Sequence, residues 1–275
     1  MKVRELIKIA EKRLSEARIE DPYLEARIIL AGFLDVPLTI VDTIIEDIPE
    51  EKFLELIELR SRGKPIQTII GRWEFFGRKI FLRDGVFIPR QETEGLVELV
   101  LRLIPKEKAT VGLEIGVGSG AISCTLLAER DNLFMNATDI SAKAIDLARD
   151  NALLFGVSDR LVLSKCNLAD SISNKLDFIV SNPPYVMSVE LGSLPVEVKH
   201  DPIEALDGGT DGLRITRKII EIAPNLLKNG GFIALEIHEE LGNEVYKLLD
   251  GHFTEKNIFK DLSGKDRYAI AFKEA

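Results

Sequence analysis

From Gln91 to the C-terminus, short apolar runs alternate with segments of helical period, and this alternation constrains the fold more than any other feature of the chain. Strands are predicted at 111–115, 134–138, 161–163, 176–181, 231–237, 253–259 and 267–272, with amphipathic segments between them. Intervening segments of helical period imply an α/β, doubly wound, Rossmann-like domain with a mainly parallel sheet. Ligands of such sheets bind beyond the carboxyl ends of the strands. The residues at those ends are therefore the candidates for chemistry.

The chain ahead of this region has a different period. Val3, Leu6, Ile7, Ala10, Leu14 and Ala17 keep the spacing of one buried helical face. Asp21-Pro22 reads as a helix start, with Asp21 as N-cap and Pro22 at the first helical position. Pro37 and Pro49 offer two further starts, and Gly63 a stop after Phe53, Leu56, Ile57 and Arg60. The sum is a bundle of four or five short helices ending with a small one near 66–70. Residues 73–76 and 79–81 then form aromatic and β-branched runs broken by Gly77, with an Asp84-Gly85 turn before 86–89. The expected organisation is a helical domain over 1–71, a β-hairpin linker over 72–90 and an α/β domain over 91–275.

Composition adds bounds. Apolar residues make up 45% and charged residues 29%, enough to bury a sizeable core. The net charge of −9 argues against broad coating of nucleic acid. It is unevenly spread: residues 1–59 carry 8 basic and 14 acidic side chains, whereas residues 60–90 carry 8 basic and 2 acidic. Cys124 and Cys166 form no CxxC pair, no apolar run approaches a membrane span, and the N-terminus lacks a signal-peptide core. A reduced, cytoplasmic setting without membrane attachment is the expectation.

Two motifs carry chemistry. Gly116-Val117-Gly118-Ser119-Gly120 follows a strand and opens a helix, so the backbone can turn tightly and a ligand can approach without a Cβ in the way. Asp139 lies 23 residues beyond Gly116, at the end of the next strand, where a carboxylate can accept both hydroxyls of a ribose. This pair points to a nucleoside-type cofactor. Because Gly116-x-Gly118-x-x-Ala121 also satisfies the dinucleotide fingerprint, a dehydrogenase stays open at this point. The second motif, Asn182-Pro183-Pro184-Tyr185, ends the buried run 177–181. The Asn182 side-chain oxygen and the Pro183 carbonyl are acceptors converging where two prolines supply no N–H. Two such acceptors suit a planar NH₂ group, and Tyr185 adds a flat face and a hydroxyl. The three histidines lack metal-ligand spacing, so no metal is assigned, and Cys124 reads as a small core residue.

Together, Gly116-x-Gly118-x-Gly120, Asp139 and Asn182-Pro183-Pro184-Tyr185 resemble the S-adenosylmethionine-dependent amino-methyltransferases. Ile88-Pro89-Arg90-Gln91-Glu92-Thr93-Glu94, the 204–213 segment (EALDGGTDGL) and Gly264-Lys265-Asp266-Arg267 narrow the resemblance to the release factor glutamine methyltransferases, the HemK/PrmC family. What the resemblance implies is N5-methylation of the glutamine amide in the GGQ loop of peptide chain release factors. S-adenosyl-L-methionine would be consumed and S-adenosyl-L-homocysteine released by a monomeric enzyme. It implies Asn182, Pro183 and Tyr185 as catalytic residues, with Pro184 beside them in substrate binding. Cofactor contacts would come from Gly116, Val117, Gly118, Ser119, Gly120, Asp139, Ile140, Asn167, Leu168 and Asn182, with Arg90 and Glu94 shaping the pocket. The alternative is a nucleic-acid amino-methyltransferase acting on adenine N6 or guanine N2, which shares the second motif but not the flanking segments. Four departures stand out: Gln91 replaces a proline, Asn167 an acidic residue, His200 an aromatic residue ahead of Asp201-Pro202, and His238 the glycine of an EIG sequence. With His200-Asp201-Pro202, the Glu236-Ile237-His238 segment is expected to lie away from the reaction centre.

Overall fold

The computed structural model describes residues 1–45 and 47–274, which form two compact units. The first comprises Met1–Trp73 together with Pro195–His200. Helix α1 (Val3–Glu16) buries Val3, Leu6, Ile7, Ala10 and Leu14, the face its spacing predicts. It packs against α2 (Pro22–Leu34) and α3 (Glu50–Ser61), with a 3₁₀ turn at Leu38–Thr43 and a short α4 (Ile66–Ile70). Leu6, Leu14, Ile29, Leu30, Phe53 and Ile57 fill the core between them.

Asp21 corrects one expectation. It precedes Pro22 as predicted but sits in the left-handed region at φ 48°, and its side chain caps nothing. In that conformation its backbone carbonyl accepts the Glu25 N–H at 3.0 Å, while the carboxylate is turned away from the first-turn amides. A second feature has no sequence signal. Arg60, 3% exposed, donates to both oxygens of Glu25 at 2.5 and 2.9 Å, and also pairs with Glu197. A buried guanidinium persists only with such partners. Glu197 and Val196, the latter against Gly63, thus attach a distant stretch of chain to this unit.

The boundary between the units falls within β1 (Arg72–Phe75), which pairs with β2 (Arg78–Phe81). Phe76 and Gly77 turn the hairpin at φ 52° and 68°, the two positive values a tight two-residue turn requires. There follow α5 (Glu92–Leu103), β3 (Thr110–Ile115), α6 (Ala121–Glu129), β4 (Leu133–Asp139), α7 (Ala142–Phe155), β5 (Leu161–Lys165) and β6 (Leu176–Ser181). After these come β7 (Val186–Met187), α8 (Ile203–Leu206), β8 (Asp207–Gly209), α9 (Arg214–Leu226), β9 (Leu227–Glu236), α10 (Gly242–Leu248), β10 (Glu255–Lys260) and β11 (Asp266–Phe272).

Seven strands form one sheet in the order β10-β11-β9-β6-β3-β4-β5, in which only β11 runs against its neighbours. Every predicted strand is present. Alternation along the strands divides the core: Leu113, Ile179, Ile233 and Ala271 face α9 and α10, whereas Phe178 and Phe232 stack on the opposite face at 5.4 Å. From β3 the chain winds outward through β4 to β5, then returns to place β6 on the other side of β3. That reversal opens a crevice at the carboxyl ends of β3 and β6. The small parallel pair β7–β8, absent from the sequence reading, lies just beyond it. Among the described residues no helix is long and apolar enough to cross a membrane.

Candidate active site

The glycine loop follows β3 directly. Gly116, Gly118 and Gly120 have φ of 79°, 52° and 81°, values that L side chains rarely adopt. They differ in what surrounds them. A Cβ on Gly116 or Gly118 would meet nothing within 4 Å, whereas one on Gly120 would press on Ala148 at 3.1 Å. The first two glycines therefore leave a surface open to a ligand, and the third permits α6 to approach α7. Val117 and Ser119 between them are buried. Asp139, at the end of β4, accepts the Gly118 N–H at 3.0 Å and the Ser141 N–H at 2.9 Å. Burial raises its pKa, and these backbone donors oppose the rise. The loop thus brings an open glycine cradle against a half-buried carboxylate, which fits a ligand with vicinal hydroxyls.

Neighbouring elements support the loop. Asn151 on α7 is fully buried and donates to the carbonyls of Ser119 at 2.9 Å and Phe81 at 3.0 Å. Its Oδ1 accepts the Phe81 N–H at 2.7 Å, so one amide joins the glycine loop to β2. Glu114 accepts the Ser123 N–H at 2.9 Å in the first turn of α6, and burial pushes it up to about 8. After β5, Asn167 is exposed, and the Leu168 carbonyl accepts the Thr138 hydroxyl at 2.6 Å. Ile140 is 52% exposed beside Asp139. Cys124 is buried in α6.

Asn182-Pro183-Pro184-Tyr185 leaves the carboxyl end of β6, held to β3 by Ser181 donating to the Ile115 carbonyl at 2.6 Å. The Asn182 Nδ2 donates to Thr93 Oγ1 at 3.2 Å. Its Oδ1 makes no hydrogen bond among the described residues. Tyr185 donates to Glu236 Oε1 at 3.4 Å, and burial is the main cause of its raised pKa. The 204–213 segment explains itself here. β8 pairs with β7 immediately after Tyr185, and Gly212, at φ 72°, lets the Tyr185 carbonyl come within 2.6 Å of where a Cβ would stand. Gly212→Ala should strain this backbone and push Tyr185 aside, lowering stability by about 1–2 kcal/mol, which a lowered denaturation midpoint would register.

Arg90 and Glu94 have partners of their own. Arg90 pairs with buried Asp201 and lies over the Phe87 ring at 5.0 Å, while Glu94 accepts the Phe76 N–H at 2.9 Å. Neither hydrogen-bonds the glycine loop or Asp139 among the described residues.

The expectation that Glu236-Ile237-His238 lies away from the centre is overturned. Glu236 meets both Thr93 and Tyr185, and the His238 ring centroid is 5.9 Å from that of Tyr185. The reason is register: β9 runs parallel beside β6 with Ser181 opposite Leu235, so both strands deliver their carboxyl ends to one place. Thr93 and Glu236 join the candidate site here without being singled out by the sequence motifs. The signals were an acid at the end of a buried strand and a threonine within the 88–94 segment.

Comparison with known proteins finds two family models along the chain. Residues 5–71 match the PrmC N-terminal domain family and residues 78–194 the methyltransferase small domain family. A release factor glutamine methyltransferase of Aquifex aeolicus is 41% identical over 276 residues, covering 98% of each chain. Another, of Moorella thermoacetica, is 36% identical over 281 residues, covering 99% of each. A methyltransferase structure from Pyrococcus furiosus superposes with a TM-score of 0.52 at 21% identity, over 73% of this chain and 91% of that one, a likeness that speaks for the fold.

Proposed function

The chain belongs to the release factor glutamine methyltransferase family, and we propose that it methylates the side-chain amide nitrogen of a glutamine in the GGQ loop of a peptide chain release factor, with S-adenosylmethionine as donor. The observation that carries this reading is the conjunction of an open glycine cradle beside Asp139 with an Asn182 acceptor left free at the next strand end.

The donor supplies, when bound, an electrophilic methyl group on its sulfonium. Gly116 and Gly118 would admit it, Asp139 would accept from its ribose, and Ile140, Asn167 and Leu168 would border its adenine. Asn167 offers an amide where a carboxylate would give a stronger, charge-assisted hydrogen bond. The remaining work belongs to the chain's own groups. An amide nitrogen is a poor nucleophile because its lone pair is delocalised into the carbonyl. Asn182 Oδ1 and the Pro183 carbonyl each accept one N–H of the substrate NH₂, fixing its plane and direction. These hydrogen bonds strengthen as the nitrogen becomes positive, so they favour the transition state over the ground state. Orientation of this kind supplies up to several kcal/mol. Pro184 and Tyr185 form the wall against which the amide lies, and water accepts the proton the nitrogen gives up.

The nucleic-acid alternative shares the glycine loop, Asp139 and the Asn182–Tyr185 motif with this chain, whereas the release-factor reading also accounts for the N-terminal bundle and the 204–213 segment. Incubation of the purified protein with release factor and labelled methyl donor, followed by peptide mass spectrometry, tests the proposal. A methyl group on the GGQ glutamine is the expected result. An unmodified factor alongside methylated bases in a parallel nucleic-acid incubation would overturn it.

A further inference from the structure

Three polar groups from distant parts of the chain meet beneath Asn182. Thr93, in the first turn of α5, is 2% exposed and donates its hydroxyl to Glu236 Oε2 at 2.7 Å. Glu236, 1% exposed, ends β9 and accepts from Tyr185 through its other oxygen. A hydroxyl has a single proton. With that proton committed to Glu236, Thr93 Oγ1 can only accept, and what it accepts is the Asn182 Nδ2–H at 3.2 Å. The direction of the chain is thereby determined: carboxylate, hydroxyl, then amide NH₂, leaving Oδ1 as the outward end of Asn182.

We propose that Thr93 and Glu236 are positioning residues that set the flip state of the Asn182 amide, so that the motif presents an acceptor rather than a donor to the substrate nitrogen. This rests on the methyl-transfer reading above and adds to it the device that makes Asn182 competent. An asparagine amide is nearly symmetric in shape, and a 180° flip would replace Oδ1 by an NH₂ facing another NH₂. The packing of Asn182 has little means of telling these apart, whereas a hydroxyl held as an acceptor does so. Glu236 also holds the Tyr185 hydroxyl, so one carboxylate orders two members of the motif.

The relay depends on Glu236 being an acceptor at both oxygens. Burial pushes its carboxyl up to about 7, against the pull of Thr93 and Arg267. The groups that face it are Arg267 and Tyr268 on β11, Glu92 and Thr93 on α5, and Tyr185 after β6, with His238 two residues on. Once protonated, Glu236 can donate to Thr93, which frees the threonine proton to point at Asn182 and favours the flipped amide. Turnover should therefore fall as the pH drops through about 7.

The test compares the full-length protein with Thr93→Val, Thr93→Ser and Glu236→Gln, using release factor and methyl donor. Thr93→Val removes the hydroxyl at nearly constant volume and should lower kcat roughly 10- to 100-fold, with KM for the factor and Kd for the donor unchanged. Thr93→Ser restores the hydroxyl and should recover most of the loss. Glu236→Gln should abolish the fall in kcat at low pH. A parallel readout is independent of turnover: the side-chain NH₂ resonances of Asn182, labelled with ¹⁵N, should shift in Thr93→Val and return in Thr93→Ser. Wild-type kcat in Thr93→Val, equal losses in the valine and serine variants, or unmoved Asn182 resonances would each overturn the relay. A wild-type protein that leaves release factor unmodified while its Asn182 resonances respond to Thr93→Val would instead overturn the substrate and keep the relay.

Discussion

Asn182→Ala is expected to lower kcat by about 10²–10³ and to shift donor affinity far less. The argument rests on separation of tasks. The glycine loop and Asp139 come from β3 and β4, whereas Asn182 directly follows β6 and contributes an acceptor to the reacting amide. Truncation removes Oδ1 and leaves one substrate N–H without its partner, in the step where positive charge grows on the nitrogen. It also releases Thr93, whose hydroxyl stays bound to Glu236. Steady-state kinetics with release factor, paired with calorimetry of the donor, separate the two quantities. A variant with wild-type turnover would remove the acceptor from the mechanism. A variant with weakened donor binding and unchanged kcat would move Asn182 to the cofactor.

Asp139→Ala should have the opposite signature. Loss of a carboxylate that accepts from a ribose costs about 2–3 kcal/mol, a Kd for the donor raised roughly 30- to 150-fold, with much of kcat recovered at saturation. Two consequences of its surroundings sharpen the expectation. Asp139 also accepts the Gly118 and Ser141 amides, so the alanine variant loosens the cradle itself, whereas Asp139→Asn retains one acceptor and should fall between. Burial raises the Asp139 pKa from its ordinary aspartate value, so the ionised acceptor is lost earlier as pH falls, and donor affinity should decline with it. Calorimetry across the acidic range checks both points, and an affinity independent of pH would contradict them.

Much of the site was legible in the one-dimensional pattern because its parts are local. A strand, a glycine turn and a helix start are contiguous, so Gly116 to Gly120 declare themselves, and a proline pair after a buried run can only end it. The same locality limits the reading at Asp21, where Pro22 marks the helix start correctly but the left-handed backbone before it cannot be inferred from residue type. Thr93 and Glu236 lie 143 positions apart, and Asn151 is 70 from the hairpin it holds. No periodicity connects such pairs.

The sequence by itself determined the alternation of elements, the mainly parallel sheet, the glycine turn and the acceptor-rich turn at the end of β6. Each follows from short-range physics: apolar period, missing Cβ atoms and missing N–H donors. Only the tertiary structure decided which strand stands beside β6. Strand order brings Glu236 next to Asn182 through pairings between segments far apart in the chain, and α5 supplies Thr93 between them. That arrangement turns an asparagine at a strand end into an oriented acceptor. Orientation is a property of packing across the sheet, written in no single segment.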